Sequence, residues 1–139
     1  MHLYYITVFL VFIGNISAQP LVIAHRGASA NKPENSISAF EEAIKLKADY
    51  IETDVHQTRD GIVVIMHDFS VKRTCDNYPE NKTGIKDLNF LEFSSLKIKG
   101  ANEHPPSLDS AIKFIKGRCK LLLEIKKVVI IIRVLKTIF

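Results

Sequence analysis

Ile23-Ala-His-Arg-Gly-Ala28 ends a short apolar run in a histidine, an arginine and a glycine, and its reading decides the fold. Leu21 to His25 lies between Pro20 and Gly27 and reads as a short buried strand. Pro33-Glu-Asn35 then opens a helix, with Asn35 or Ser36 as its cap. Ile37, Phe40, Ala43, Ile44 and Leu46 or Lys47 recur at helical spacing, while Glu41, Glu42 and Lys45 take the wet face. Tyr50 to Val55 is strand-like, Arg59-Asp-Gly61 is a turn, and Ile62 to Met66 is a second β-rich run ending at His67. Pro106-Ser107 starts another helix, Leu108 to Lys116, and Leu121 to Lys126 is a further strand. This order, with one long loop before the second helix, predicts an α/β domain with parallel strands. His25, Glu52, Asp54, His67, Glu124 and Lys126 fall at or near strand C-terminal ends. In parallel α/β folds ligands bind at that edge.

The chemistry of those positions is that of a hydrolytic site around a hard metal ion. Glu52 and Asp54 are two apart on a strand, so both leave the same face, with Cα atoms roughly 6.5–7 Å apart. Like charges that close repel unless a cation lies between them. Ile51 and Val55 point the other way, which puts the opposite face in a core. Glu124 lies inside Leu121-Leu-Leu-Glu-Ile-Lys126, and a charge within so apolar a strand demands a partner. A metal shared with Glu52 and Asp54 is such a partner, and all-oxygen ligation selects Mg²⁺ or Ca²⁺ over zinc. His25 and His67 are the acid/base candidates, since imidazole exchanges protons at neutral pH. Arg26 offers a planar fork for phosphate oxygens, and Lys126 a second cation. Metal, histidines and cations together make a receptor for a phosphodiester.

Composition excludes several other classes. The chain has 139 residues, with 19 Lys and Arg against 15 Asp and Glu and a net charge of +4. The charges are scattered, so this is a solvated surface and not the clustered footprint of a nucleic-acid binder. Residues 1–18 carry no Lys, Arg, Asp or Glu, and the apolar run Leu3 to Ile13 is followed by Ser17-Ala18. That is the layout of a secretory signal peptide, predicting a secreted or periplasmic protein. An uncleaved membrane anchor fits less well, because the run falls short of the ~20 residues of a spanning helix. Cys75 and Cys119 leave one disulfide open, and Asn81-Lys-Thr83 is a glycosylation sequon, usable only in a eukaryote.

His25-Arg-Gly-Ala28, Pro33-Glu-Asn35, Ile51-Glu-Thr-Asp54, Thr58-Arg-Asp-Gly61, His67-Asp68, Arg73-Thr74 and Leu123-Glu-Ile-Lys126 together resemble the glycerophosphodiester phosphodiesterase family. The resemblance runs from about Leu21 to Lys126 and implies a TIM (β/α)₈ barrel. It implies metal-dependent hydrolysis of glycerophosphodiesters to glycerol 3-phosphate and an alcohol. By position, His25 and His67 correspond to the catalytic pair, and Glu52, Asp54 and Glu124 to the metal ligands. Arg26 and Lys126 correspond to phosphate contacts, and Glu34 to a supporting residue that orders its loop. A small glycerophosphodiester or lysophospholipid is the expected substrate, with no nucleic-acid partner. A lyase of the same superfamily, forming a cyclic phosphate, shares these residues.

The chain also departs from the family pattern. A full barrel takes roughly 200 residues or more, so residues 19–139 are expected to hold about its first half, with strands ending at His25, Asp54, His67 and Lys126. The apolar stretch 127–139 is atypical of the family at that point. A truncated product, inert by itself, is therefore one expectation, and a self-completing dimer the other.

Overall fold

The computed structural model describes residues 20–126. The signal-peptide expectation for residues 1–18 and the apolar stretch 127–139 lie outside the described residues. Strand β1 (Ile23–His25) is followed by helix α1 (Ile37–Lys45) and strand β2 (Tyr50–Gln57). Ser36 is the N-cap of α1, its Oγ accepting the Ala39 N–H at 3.1 Å. Phe40 and Ala43 are buried toward the sheet, whereas Leu46 is the C-cap and exposed, so the apolar stripe stops at Ile44. Helix α3 (Leu108–Ile115) starts on Ser107 in the same way and leads to strand β6 (Lys120–Ile125). Its buried Leu108, Ala111 and Ile115 meet Phe40, Ile51 and Val55 in the main core.

The parallel part of the sheet is β1, β2 and β6. Glu52 is flanked by His25 on one side and Leu122 on the other, and Val55 by Ile65 and Ile125. Strand β6 therefore lines one edge of β2, while β1 and β3 (Val63–Ile65) share the opposite edge end to end. β3 runs antiparallel to β2, which corrects the expectation of an all-parallel sheet. The reason is the turn Thr58–Ile62, where Thr58 N–H donates to Ile62 O at 2.9 Å. A link that short closes a hairpin, because a parallel crossover takes a dozen residues or more. The parallel strands among the described residues are thus β1, β2 and β6, and His67 ends no barrel strand.

The expected long loop after His67 is in fact structured. It carries strands β4 (Cys75–Asp76) and β5 (Lys97–Ile98), paired antiparallel, a 3₁₀ turn at Ile85–Asp87, and helix α2 (Phe90–Ser94). Asn89 and Glu92 form a capping box at the start of α2. Val71, Cys75, Leu88, Phe93 and Leu96 build a second hydrophobic cluster on the far side of Val64 and Met66. Cys75 is buried in this cluster and Cys119 packs against the main core, both as free thiols, so the open disulfide does not form. No helix among the described residues is long and apolar enough to cross a membrane.

Candidate active site

Glu52 and Asp54 lie within β2, not at its end, at the height where its parallel neighbours stop. The register pairs His25 with Glu52 and Asp54 with Glu124, so three acidic side chains and a histidine meet on one face. One oxygen from each of Glu52, Asp54 and Glu124 lies within 4.8 Å of the others. Glu52 and Asp54 are buried, and Glu124 is exposed on the outer edge of β6.

Two oxygens of this cluster are buried and accept no hydrogen bond, Glu52 Oε1 and Asp54 Oδ1. Their partners are already used: Glu52 Oε2 accepts the Arg26 N–H at 3.0 Å, and Asp54 Oδ2 accepts the Asn35 amide at 2.9 Å. Asp54 Oδ1 instead faces the Lys126 ammonium in an ion pair, with Nζ 2.9 Å away and also in contact with Glu124. Burial pushes the Asp54 carboxyl up, but the Asn35 amide and the Lys126 ammonium outweigh it and hold the group below the usual carboxylate range. Burial likewise pushes Lys126 down, and its contacts with Glu124 and Asp54 reverse the sign. A partnerless buried oxygen on Glu52, with Asp54 and Glu124 oxygens at this spacing, fits a hard divalent cation.

The segment after β1 is bent to reach this cluster. Arg26 stands in the left-handed region at φ 58°, followed by Gly27 at 77°, which turns the Arg26 amide onto Glu52. Arg26 Nη1 donates to Glu34 Oε1 at 3.2 Å, and its Nε lies 3.5 Å from Asp54 Oδ2. The exposed His25 places Nε2 3.8 Å from Glu52 Oε2. His67 arrives from the other direction. Because β3 runs back along β2, Met66 N–H reaches Asp54 O at 3.1 Å, and His67 follows it beside the acidic cluster. One histidine therefore ends β1 and the other follows β3, the two strands that share one edge of β2.

Contacts join His25, Arg26, Glu34, Glu52, Asp54, Glu124 and Lys126, and His67 follows Met66, whose N–H bonds the Asp54 carbonyl. Sequence reasoning missed Asn35, which also accepts the Thr53 hydroxyl at 2.7 Å, and it left Arg73 without a role. Arg73 grips Glu34 through Nη1 and Nη2 at 2.8 and 2.7 Å. It also missed His56, whose Nε2–H donates to the His67 carbonyl at 3.0 Å. Of these only His56 left a signal, as a histidine continuing the Glu52, Asp54 face. Beyond His56 a pocket of about 720 Å³ opens between the end of β2 and Thr83–Asp87, with Phe69 and Ile85 on its apolar wall.

The glycerophosphoryl diester phosphodiesterase family model matches residues 25–137. The glycerophosphodiester phosphodiesterase of Caldanaerobacter subterraneus subsp. tengcongensis is 39% identical over 118 residues, 80% of this chain and 47% of its own length. A phosphodiesterase from Oleispira antarctica, solved in complex with the product sn-glycerol-3-phosphate, superposes with a TM-score of 0.68 at 33% identity. That match covers 77% of this chain and 44% of the Oleispira protein. A glycerophosphoryl diester phosphodiesterase from Parabacteroides distasonis gives a TM-score of 0.70 at 31% identity, over 86% of this chain and 42% of that one. These neighbours are TIM-barrel enzymes, of which the described residues reproduce part. The chain spans less than half the length of the curated relatives it matches. It belongs to the glycerophosphoryl diester phosphodiesterase family.

Proposed function

We propose that this chain carries the cation site and acid–base pair of an enzyme that hydrolyses small glycerophosphodiesters to glycerol 3-phosphate and an alcohol. One observation carries the reading. Glu52, Asp54 and Glu124 bring an oxygen each within 4.8 Å, the buried Glu52 Oε1 lacks a partner, and the family acts on phosphodiesters. In this reading the carboxylates hold Mg²⁺ or Ca²⁺, which supplies positive charge to a phosphate oxygen. Arg26 and Lys126, already turned toward Asp54, give the remaining phosphate oxygens their charged donors. One of His25 and His67 takes a proton from the attacking water, and the other returns one to the leaving alcohol oxygen. Glu34 supports this arrangement by holding Arg26. The pocket beside His56 and Phe69 receives the alcohol's substituent. Residues 1–18 act as a cleaved leader that delivers residues 19–139 outside the cytoplasm, checked by sequencing the N-terminus of the secreted protein.

The test is turnover of glycerophosphocholine by the full-length protein. H25A and H67A are each expected to lose about 10²-fold or more in rate, and near-normal turnover by either variant removes that residue from the pair. E52Q and D54N are expected to raise the Mg²⁺ or Ca²⁺ concentration needed for half-maximal rate, since one ligand of several is lost. Undiminished activity in excess chelator overturns the cation. Phosphorus NMR of the products decides between hydrolysis and the cyclising alternative, because a cyclic phosphate as the final product excludes the hydrolase.

A further inference from the structure

We propose that Arg73 is a positioning residue: it fixes Asp68 so that His67 is held in the Nδ1–H tautomer, leaving Nε2 as the bare nitrogen. His67 Nδ1 lies 2.7 Å from Asp68 Oδ1. An ionised carboxylate only accepts, so the proton of the neutral ring sits on Nδ1. Neighbouring residues on a loop do not face one another unless something turns them, and here that is Arg73. Its Nε donates to Asp68 Oδ2 at 2.6 Å and its Nη2 to Oδ1 at 3.0 Å, a fork on both carboxylate oxygens. The adjacent edge of the same guanidinium, Nη1 and Nη2, is forked onto Glu34.

Glu34 belongs to the segment that follows His25 at the end of β1 and carries Arg26, whereas Asp68 belongs to the segment after β3 that carries His67. Arg73 is thus the tie between the two loops that adjoin the histidines, with Arg26 extending it to Asp54 through Glu34. Its hydrogen bonds hold both Glu34 and Asp68 below the usual carboxylate range, so each stays ionised and acceptor-only. From the other side, His56 fixes the His67 carbonyl. Backbone and ring are therefore pinned independently. Arg73 is half exposed, where isolated ion pairs contribute little to stability. Its double fork acts on orientation.

That His67 handles a proton in catalysis rests on the proposed function, but the tautomer does not. The experiment is long-range ¹H–¹⁵N correlation of the histidine rings in the labelled full chain, above the pH at which the rings titrate. Wild type is expected to show His67 with Nδ1–H in about 10-fold excess, the preference a charge-assisted hydrogen bond supports. R73Q should bring the two tautomers of His67 to comparable populations and leave His56 as Nε2–H. R73K, with one charged donor and no fork, should fall between them, and it supplies the reading if R73Q does not fold. An Nε2–H ring in wild type overturns the proposal, as does undiminished Nδ1–H in folded R73Q or R73K. In the full-length enzyme the same variants should lower kcat with KM unchanged. If the wild type proves inactive while the tautomer shifts as stated, the functional reading fails and the positioning stands.

Discussion

Asn35 and Gly27 show how much of the site is held by backbone conformations that few residues adopt. Asn35 lies at φ 57°, buried, with its amide on Asp54 Oδ2 and its carbonyl on the Thr53 hydroxyl. N35A is expected to lose about 3 kcal/mol, combining left-handed strain with unsatisfied buried partners. N35G removes only the side chain and should recover the strain portion, roughly 1 kcal/mol, in urea unfolding. Gly27 stands at φ 77°, and a Cβ there meets the Ala39 backbone at 2.8 Å. G27A is accordingly expected to cost about 2–4 kcal/mol, because loop and α1 are in backbone contact and neither can yield. Glu34 and Asp68 carry a pH signature. Their folded pKa values are depressed, chiefly by the Arg73 hydrogen bonds. The stability they contribute is complete above their unfolded values and is lost as pH falls through the folded ones, below about pH 4. The drop in urea midpoint from pH 7 to pH 3 should therefore be smaller in R73Q than in wild type. The acidic and histidine positions were legible in the sequence because their chemistry is written in residue type and strand spacing. Asn35 and Arg73 were not, since one depends on a positive φ and the other reaches across 39 positions to Glu34.

The elements divide in the same way. Both longer helices were legible from their stripe and cap, and S107A is expected to cost α3 about 1 kcal/mol, read as a lower melting temperature. Strand β3 was seen as a strand but given the wrong direction. The information was there, since Arg59-Asp-Gly61 leaves too few residues for a crossover. That error has a functional edge, because it is the return of β3 along β2 that delivers His67 to Asp54. The region from Ser70 to Pro106 was read as loop because its strands are only two residues long and α2 only five. Elements so short have no measurable period, and only the Asn89–Glu92 capping box marks them in sequence. Lys82 and Arg59 both reach Glu92, so the cap is tied to the segments around it.

At the scale of the molecule, the described residues hold two apolar clusters on either side of β3 and only part of a barrel's sheet. The thiols report on the clusters separately. Cys75, raised in pKa by burial, is expected to resist a thiol reagent until the protein unfolds, while the half-buried Cys119 reacts first. Alkylation of the denatured protein without reductant should modify both cysteines, as mass spectrometry would read. Leu21, Val22, Leu122 and Ile125 are exposed on β1, on the residues just before it and on β6, whose outer edges are unpaired among the described residues. Among the described residues only β2 has strands on both edges, β6 along Tyr50–Val55 and, opposite, β1 at Tyr50–Glu52 and β3 at Val55–Gln57. Deuterium uptake should read this as a gradient. The Ile51 to Val55 amides open only when the sheet comes apart and should be the last to exchange, whereas those of the segments after β1 and β3 exchange early. Glu52 and Asp54 are then mounted on the slowest-breathing strand and the imidazoles of the proposed pair at its quicker margins: charge would be stored in the rigid part of the molecule, and protons would move in the supple part.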